Sequence, residues 1–146
     1  PVTLVEPSPQ PELLAAIGFR GEAFLSYQGA EQTAIILMEN EAEVRALAPD
    51  MEALRGIDLM AICTAPGDSH DIVSRVFVPA WGVDEDSVTG SAHAALAPFW
   101  AKRLGRNTMT AHQASKRGGD LTLRLEGDRA WLGGPCVTVV EGAFYL

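Results

Sequence analysis

Residues 83–96 read VDEDSVTGSAHAAL, three carboxylates in a row followed by a Thr-Gly-Ser turn and an alanine-rich run. These types and spacings allow a specific kind of chemistry. If the turn opens a helix, the first backbone N–H groups have no intrahelical partner and point at whatever lies ahead of it. Together with the Ser91 hydroxyl they can hold a carboxylate or phosphate without any basic side chain. Asp86 lies five residues before Ser91, at the same mouth, where it can trade a proton with a bound substrate. His93 falls on the first helical turn, where the helix N-terminus favours a neutral, packed imidazole. Two plainer readings compete. Ser87 or Thr89 caps the helix while the acids face water, or Asp84 and Asp86 act as ligands to Mg²⁺ or Ca²⁺. The remaining ligands of a calcium loop are missing, and no metal is expected.

The other chemistry-bearing residues are scattered. His70 and His112 stand alone and form no dyad with either cysteine. Cys63 and Cys136 lack the spacing of a zinc site and read as two buried thiols of a reduced, cytoplasmic protein. There is no Gly-x-Ser-x-Gly elbow, no P-loop and no Gly-x-Gly-x-x-Gly, which disfavours a serine hydrolase and nucleotide cofactors. A formal net charge of −8 argues against nucleic acid and anionic membranes as partners. The most basic segment is SKRGG at 115–119, too little for a polyanion groove. No apolar run reaches the length of a membrane span, and no signal peptide opens the chain.

The elements that must position the 83–96 segment follow from pattern. With 146 residues, 47% hydrophobic and 21% charged, the sequence reads as one globular domain over residues 1–146. VTLVE at 2–6 has strand character, and the following prolines break it. PELLAAIG from Pro11 is a short helix with proline at its start and Gly18 as its stop. EAFLSYQ and QTAIILME read as a hairpin around the turn residues GAE. Asn40 caps a helix that Pro49 ends, and DMEALRG gives another turn stopped by Gly56. The apolar run IDLMAICTA at 57–65 belongs in a sheet interior, and DIVSRVFVPA is the next strand. Val83 to Val88 reads as a loop. From 89 to 104 the apolar residues Ala92, Ala95, Leu96, Phe99, Trp100 and Leu104 recur at helical spacing, with Gly105 as the stop. Bulky groups are almost absent from the first half of this helix, which suits a central position wrapped by strands. Pro98 is expected to kink it. NTMTAHQ, DLTLRLEG, RAWLGG and VTVVEGAFYL follow as strands. This order favours an α+β fold over regular βαβ alternation.

The stretch SRVFVPAWGVDEDSVTGSAHAALAPFWAKRLG, followed by QASKRGGDLTLRLEGDRAWLGG, closely resembles the C-terminal half of the phenazine-biosynthesis isomerase (PhzF-like) family. Arg75, Phe77 and Pro79 match an Arg-x-Phe-x-Pro strand. Glu85, Asp86, Thr89, Gly90, Ser91 and Ala92 match a Glu-Asp-Pro-x-Thr-Gly-Ser-Ala turn, with Ser87 in place of the proline. Gln113, Arg117, Gly118 and Gly119 match a Gln…Arg-Gly-Gly connection. The resemblance implies the diaminopimelate-epimerase fold, a mostly antiparallel β shell curled around one central helix. It also implies a second, similar domain, with the active site in the cleft between the two.

The chemistry so implied is cofactor-free proton transfer at carbon on a small carboxylate-bearing substrate. Asp86 and Ser91 carry over as catalytic residues, and Thr89, Gly90, Ala92 and His93 as substrate-binding ones. The family's catalytic Glu belongs to a Ser-Glu-Thr segment of the N-terminal domain, and neither that segment nor the family's Gly-Asn-Pro segment occurs here. The chain therefore reads as the C-terminal domain only, completed by a missing N-terminal domain or by a second copy in a homodimer. The alternative is a non-catalytic anion-binding or self-assembling domain that keeps the helix cradle.

Overall fold

The apolar run around residue 60 becomes the centre of a mixed nine-strand sheet in a computed structural model that describes residues 1–26 and 32–143. β4 (Met60–Pro66) has six buried residues followed by an exposed proline. It runs parallel to β3 (Thr33–Leu37) and antiparallel to β5 (Ile72–Val78). β2 (Glu22–Ser26) and β1 (Val5–Pro7) continue the sheet beyond β3, both antiparallel. On the other side β5 pairs in parallel with β7 (Thr108–Gln113), and β8 (Gly119–Glu126) and β9 (Arg129–Gly133) follow antiparallel. β6 (Val83–Asp86) pairs with part of β5. The mixed, mostly antiparallel α+β architecture expected from the sequence is what forms. The turn residues GAE of the expected hairpin lie at 29–31, outside the described residues.

Helix α4 (Gly90–Leu104) fills the concave side. Ala92, Ala95, Leu96 and Ala97 are all 0% exposed, and these small side chains let the strands approach closely. Leu96, Phe99 and Trp100 belong to one core with Phe24, Ile35, Ile62, Val76 and Leu123. The Trp100 Nε1–H donates to the buried Thr64 hydroxyl at 3.1 Å, so the indole enters the core with its polar atom satisfied. The opposite face is covered by α1 (Pro11–Ile17), α2 (Glu41–Ala46) and α3 (Met51–Arg55), whose Leu13, Ile17, Val44 and Leu54 form a second core with Ile36, Cys63 and Phe77. Pro11 sits at the start of α1 and Gly18 ends it at φ 77°, a left-handed position that favours glycine. Asn40 and Asp50 accept the N–H groups of Glu43 and Ala53, each at 3.0 Å.

Four expectations need correction. Residues 83–86 are a strand rather than a loop, because β5 has backbone groups to satisfy where β7 does not reach. The first strand is Val5–Pro7 and takes in a proline, which is tolerated because β1 is an edge strand. VTVVEGAFYL forms no strand over its described residues, and Val137, Val139 and Val140 are 83–85% exposed. Cys136 is exposed, whereas Cys63 is buried as expected and its thiol pKa is pushed up to about 12 by desolvation.

Pro98 lies inside α4, and the helix continues through it to Leu104. A proline has no N–H to give the carbonyl four residues back. That carbonyl, Ala94 O, instead accepts the N–H of Thr3 at 3.2 Å, while Val2 N–H donates to Asp128 O at 2.9 Å in the β8–β9 turn. These two bonds tie the first residues of the chain to α4 and to the β8–β9 turn. No helix among the described residues is long and apolar enough to cross a membrane.

Leu96→Ala removes a fully buried side chain at the middle of the concave core. It should destabilise the domain by about 2–5 kcal/mol in chemical denaturation, with an unchanged m-value.

Candidate functional site

The three consecutive carboxylates each have a different partner. Asp84 pairs with Arg55 at 2.8 Å on the surface. Glu85 makes a two-pronged pair with Arg75, Nε to Oε1 at 2.8 Å and the second amine to Oε2 at 3.0 Å. The same guanidinium donates to the Leu47 carbonyl at 2.8 Å, joining β5 and β6 to the end of α2. Asp86 turns back on its own loop. Its Oδ1 accepts the Ser87 N–H at 2.8 Å and its Oδ2 accepts the Thr89 hydroxyl at 2.6 Å. Each Asp86 oxygen keeps a further acceptor position.

Thr89 is the N-cap residue of α4, yet no side chain caps the helix. The Thr89 hydroxyl is committed to Asp86, and its N–H donates to Gln113 Oε1 at 2.8 Å. Gln113, 0% exposed at the end of β7, also donates through Nε2 to Asp86 O at 2.8 Å and to Thr89 Oγ1 at 3.1 Å. Ser115 adds a bond from its hydroxyl to Ser87 O at 2.8 Å and accepts the Gly118 N–H at 3.1 Å. At Gly119 an added Cβ would lie 2.3 Å from Val88 Cγ2, so glycine lets β8 close onto the turn. The whole segment from Asp86 to Thr89 is thereby clamped to the β7–β8 connection. The N–H groups of Gly90, Ser91 and Ala92 meet no protein acceptor among the described residues.

Ser91 is exposed, and among the described residues its hydroxyl meets the Met60 sulfur alone, at 3.9 Å, a weak acceptor. Gly90 is exposed, and a Cβ there would meet only Leu132 Cδ1, at 3.8 Å. Ala92 and His93 are both 0% exposed, so Ala92 offers a ligand its backbone alone. The His93 Nδ1 lies 2.7 Å from Thr89 O, and since a carbonyl only accepts, Nδ1 carries the proton. Its Nε2 is buried without a partner among the described residues. Desolvation holds the imidazole pKa below its usual value, opposed by the Thr89 bond. His93 therefore braces the N-cap from below as a neutral ring.

Asp86, Thr89, Gly90 and Ser91 thus stand together at one helix mouth, with His93 beneath them. Gln113 and Ser115, which build the clamp, are not among the site residues read from the sequence. Gln113 was visible only as part of a family pattern, and nothing near Ser115 signals its role. A separate hollow of about 530 Å³ between β7, β8 and β9 is lined by Asp71, Arg106, Thr110, Arg124 and Trp131 and takes in neither Asp86 nor Ser91. The structure also brings His70 and His112, expected to stand alone, to a ring separation of 5.4 Å.

The mixed sheet wound on α4, with this mouth beside Asp86, places the protein among the epimerase-like α+β domains. A family model described as phenazine biosynthesis-like protein matches residues 13–142, and the chain belongs to that family. An uncharacterized isomerase of Pseudomonas aeruginosa is 48% identical over 123 residues, which is 81% of this chain and 46% of that protein. A second uncharacterized isomerase of the same organism is 36% identical over 148 residues, covering all of this chain and 56% of the relative. The crystal structure of a PhzF-family phenazine biosynthesis protein from Enterococcus faecalis superposes with a TM-score of 0.84 at 41% identity, over 100% of this chain and 56% of that one. A Clostridium difficile protein described as a putative phenazine biosynthesis PhzC/PhzF protein gives 0.80 at 30% identity over 100% and 55%. The fold is that of the diaminopimelate-epimerase group. The chain spans about half the length of the curated relatives it matches.

Two expectations test this geometry. Gln113→Met keeps the side-chain length but strands the Thr89 N–H and the Asp86 carbonyl. It should cost about 1–3 kcal/mol per group left buried without a partner and speed amide exchange at Thr89. For His93 the folded pKa lies below the unfolded value, so the unfolded state binds more protons as pH falls. Stability should be complete above about pH 6.5 and decline below it by up to about 1.4 kcal/mol per unit, until the folded ring also protonates. His93→Gln should flatten that slope in pH-dependent urea titrations.

Proposed function

We propose that the chain is one half of a cofactor-independent isomerase that moves a proton at a carbon of a small carboxylate-bearing substrate, with Asp86 and Ser91 on its side of the cleft. The observation that carries this reading is the rigid, uncapped first turn of α4 with a carboxylate beside it. A substrate carboxylate would lie against the N–H groups of Gly90, Ser91 and Ala92, with the Ser91 hydroxyl as a further donor. Donors fixed in advance stabilise the negative charge that develops when a neighbouring carbon loses its proton. Asp86, held in place by Ser87 and Thr89, uses its remaining acceptor positions to receive or return a proton.

Relatives described as isomerases support the reaction class. Half-length coverage supports reading residues 1–146 as one domain of a two-domain arrangement, which the resemblance of the 74–134 stretch assigns to the C-terminal side. The opposite wall, and the base it carries, would come from an N-terminal domain or from a second copy of this chain. Exposed apolar surface borders the mouth and suits such a partner. Leu132, beside Gly90, is 39% exposed. In a homodimer two Asp86 carboxylates facing one cleft would raise one another's proton affinity, as a proton shuttle requires.

A second reading is favoured by Asp86 itself, whose two oxygens already accept local hydrogen bonds. On that reading the mouth binds small anions without turning them over. Light scattering over a range of concentrations should show a dimer. Under dimeric conditions, deuterium should enter the carbon next to the carboxylate in members of a panel of small carboxylic acids in D₂O. Asp86→Asn should cut that incorporation by at least about 100-fold. Incorporation untouched by Asp86→Asn would remove Asp86 from the chemistry. Amide shifts at Gly90–Ala92 on adding the acids, with no incorporation in either protein, would establish the anion-binding reading.

A further inference from the structure

Strand alternation sends Met109, Ala111 and Gln113 of β7 toward the buried side and Thr110 and His112 to the other. There His112 lies directly opposite Asp120 in the antiparallel pairing of β7 with β8. The two side chains meet at 2.6 Å, His112 Nδ1 to Asp120 Oδ1. A third group arrives from the loop before β5, where His70 Nε2 is 3.3 Å from the same Asp120 oxygen. The imidazole rings stack with 28° between their planes.

We propose that His70, His112 and Asp120 form a binding site for a first-row divalent metal ion, zinc(II) in particular. One ligating atom from each residue lies within 4.8 Å of the other two. Zinc–nitrogen and zinc–oxygen bonds of about 2.0–2.2 Å in a tetrahedral arrangement set neighbouring ligand atoms about 3.3–3.5 Å apart. The His70–Asp120 pair already has that spacing, and the His112–Asp120 pair needs to open by less than about 1 Å. Two neutral imidazoles and one carboxylate make a donor set that zinc accepts, with a further position left for water. An incoming ion takes the place of the proton now held between His112 Nδ1 and Asp120 Oδ1, and the ring passes through solvent exchange to its Nε2–H tautomer, so His112 stays neutral and no net proton is released.

The surroundings hold the ligands in place, unlike a chance surface cluster. The loop at 67–71 is fixed on both sides of His70. On one side the nearly buried Glu41 carboxylate accepts the Asp68 N–H at 2.7 Å and is itself held by Arg45 Nε at 2.7 Å. On the other, Asp71 accepts the Thr110 N–H at 2.7 Å and pairs with Arg106. Gly67 permits the tight path between them, since a Cβ there would stand 2.5 Å from the His70 carbonyl oxygen. Gly118, at φ 72°, passes close to the His112 ring, where a Cβ would be 3.4 Å from Cε1. His70 and His112 side chains keep 28% and 22% exposure, enough for an ion to reach them. None of this depends on the isomerase reading. A bound ion would tie the 67–71 loop to the β7–β8 hairpin, one residue from Gln113.

The test is zinc chloride titrated into the untagged, chelator-treated chain, in competition with a chromophoric chelator. A Cys136→Ser background removes an exposed thiol that lies outside the cluster. One ion per chain is expected, with a rise in melting temperature. His70→Asn and Asp120→Asn, each shown by circular dichroism to be folded, should weaken binding at least about tenfold. Long-range ¹H–¹⁵N spectra should place zinc on Nδ1 of His112 and Nε2 of His70. Should His70→Asn fail to fold, Asp120→Asn and the ring-nitrogen spectra decide alone. Lack of stoichiometric uptake, affinity unchanged in the folded variants, or histidine resonances that do not move on adding zinc would each overturn the proposal.

Discussion

A primary amide in a protein interior must find partners for both its donors and its acceptor, because water is not there to serve them. Gln113 meets this requirement with atoms of one short segment, the Asp86 carbonyl, the Thr89 N–H and the Thr89 hydroxyl. The arrangement works in both directions. The turn satisfies the amide, and the amide fixes the turn at both ends. With its N–H held by Gln113 and its hydroxyl by Asp86, Thr89 sits at the N-cap position without a side-chain bond to the first N–H groups of α4. Those N–H groups are left facing outward as a result. The openness of the helix mouth therefore follows from a hydrogen-bond requirement met one strand away.

The acidic row shows how little a run of like charges says about its purpose. Strand geometry sends successive residues to opposite sides, and each carboxylate finds what its own side offers. Asp84 meets a surface arginine, and Glu85 a half-buried one that also gathers the carbonyl at the end of α2. Only Asp86, at the strand's end, is left to face the helix. The two structural pairs keep β6 docked, and β6 carries Asp86 to the mouth.

Much of this was legible in the sequence where the determinant is local. Asn40 as a cap, Pro11 and Gly18 bounding α1, the apolar run of β4, and the bounds of α4 all depend on residues within a turn or two of one another. Asp86, Thr89, Gly90 and Ser91 could be placed at one mouth because a helix start fixes their neighbourhood. What could not be read depends on partners far along the chain. β6 has no alternating apolar pattern, since its pairing rests on β5 and on Arg55 and Arg75. The valine-rich 137–140 segment has strand propensity but no strand beside it, and propensity alone does not make a strand. His112 and Asp120 meet only through the register of β7 against β8, and His70 joins them through a loop anchored by Glu41. The role of Ser115 in the clamp leaves no local signature either.

The proline in α4 carries a consequence for how the molecule is assembled. By withholding an N–H it leaves the Ala94 carbonyl available to Thr3, and the neighbouring Val2 reaches the β8–β9 turn. Both bonds join the beginning of the chain to segments from its second half, contacts of long sequence separation. Entropy makes such contacts expensive until the intervening chain is already ordered. The seam must therefore close late in folding, after α4 and the β8–β9 hairpin exist to receive it. The first residues then act as a fastener over a finished core, and in unfolding the same fastener is the part placed to open first.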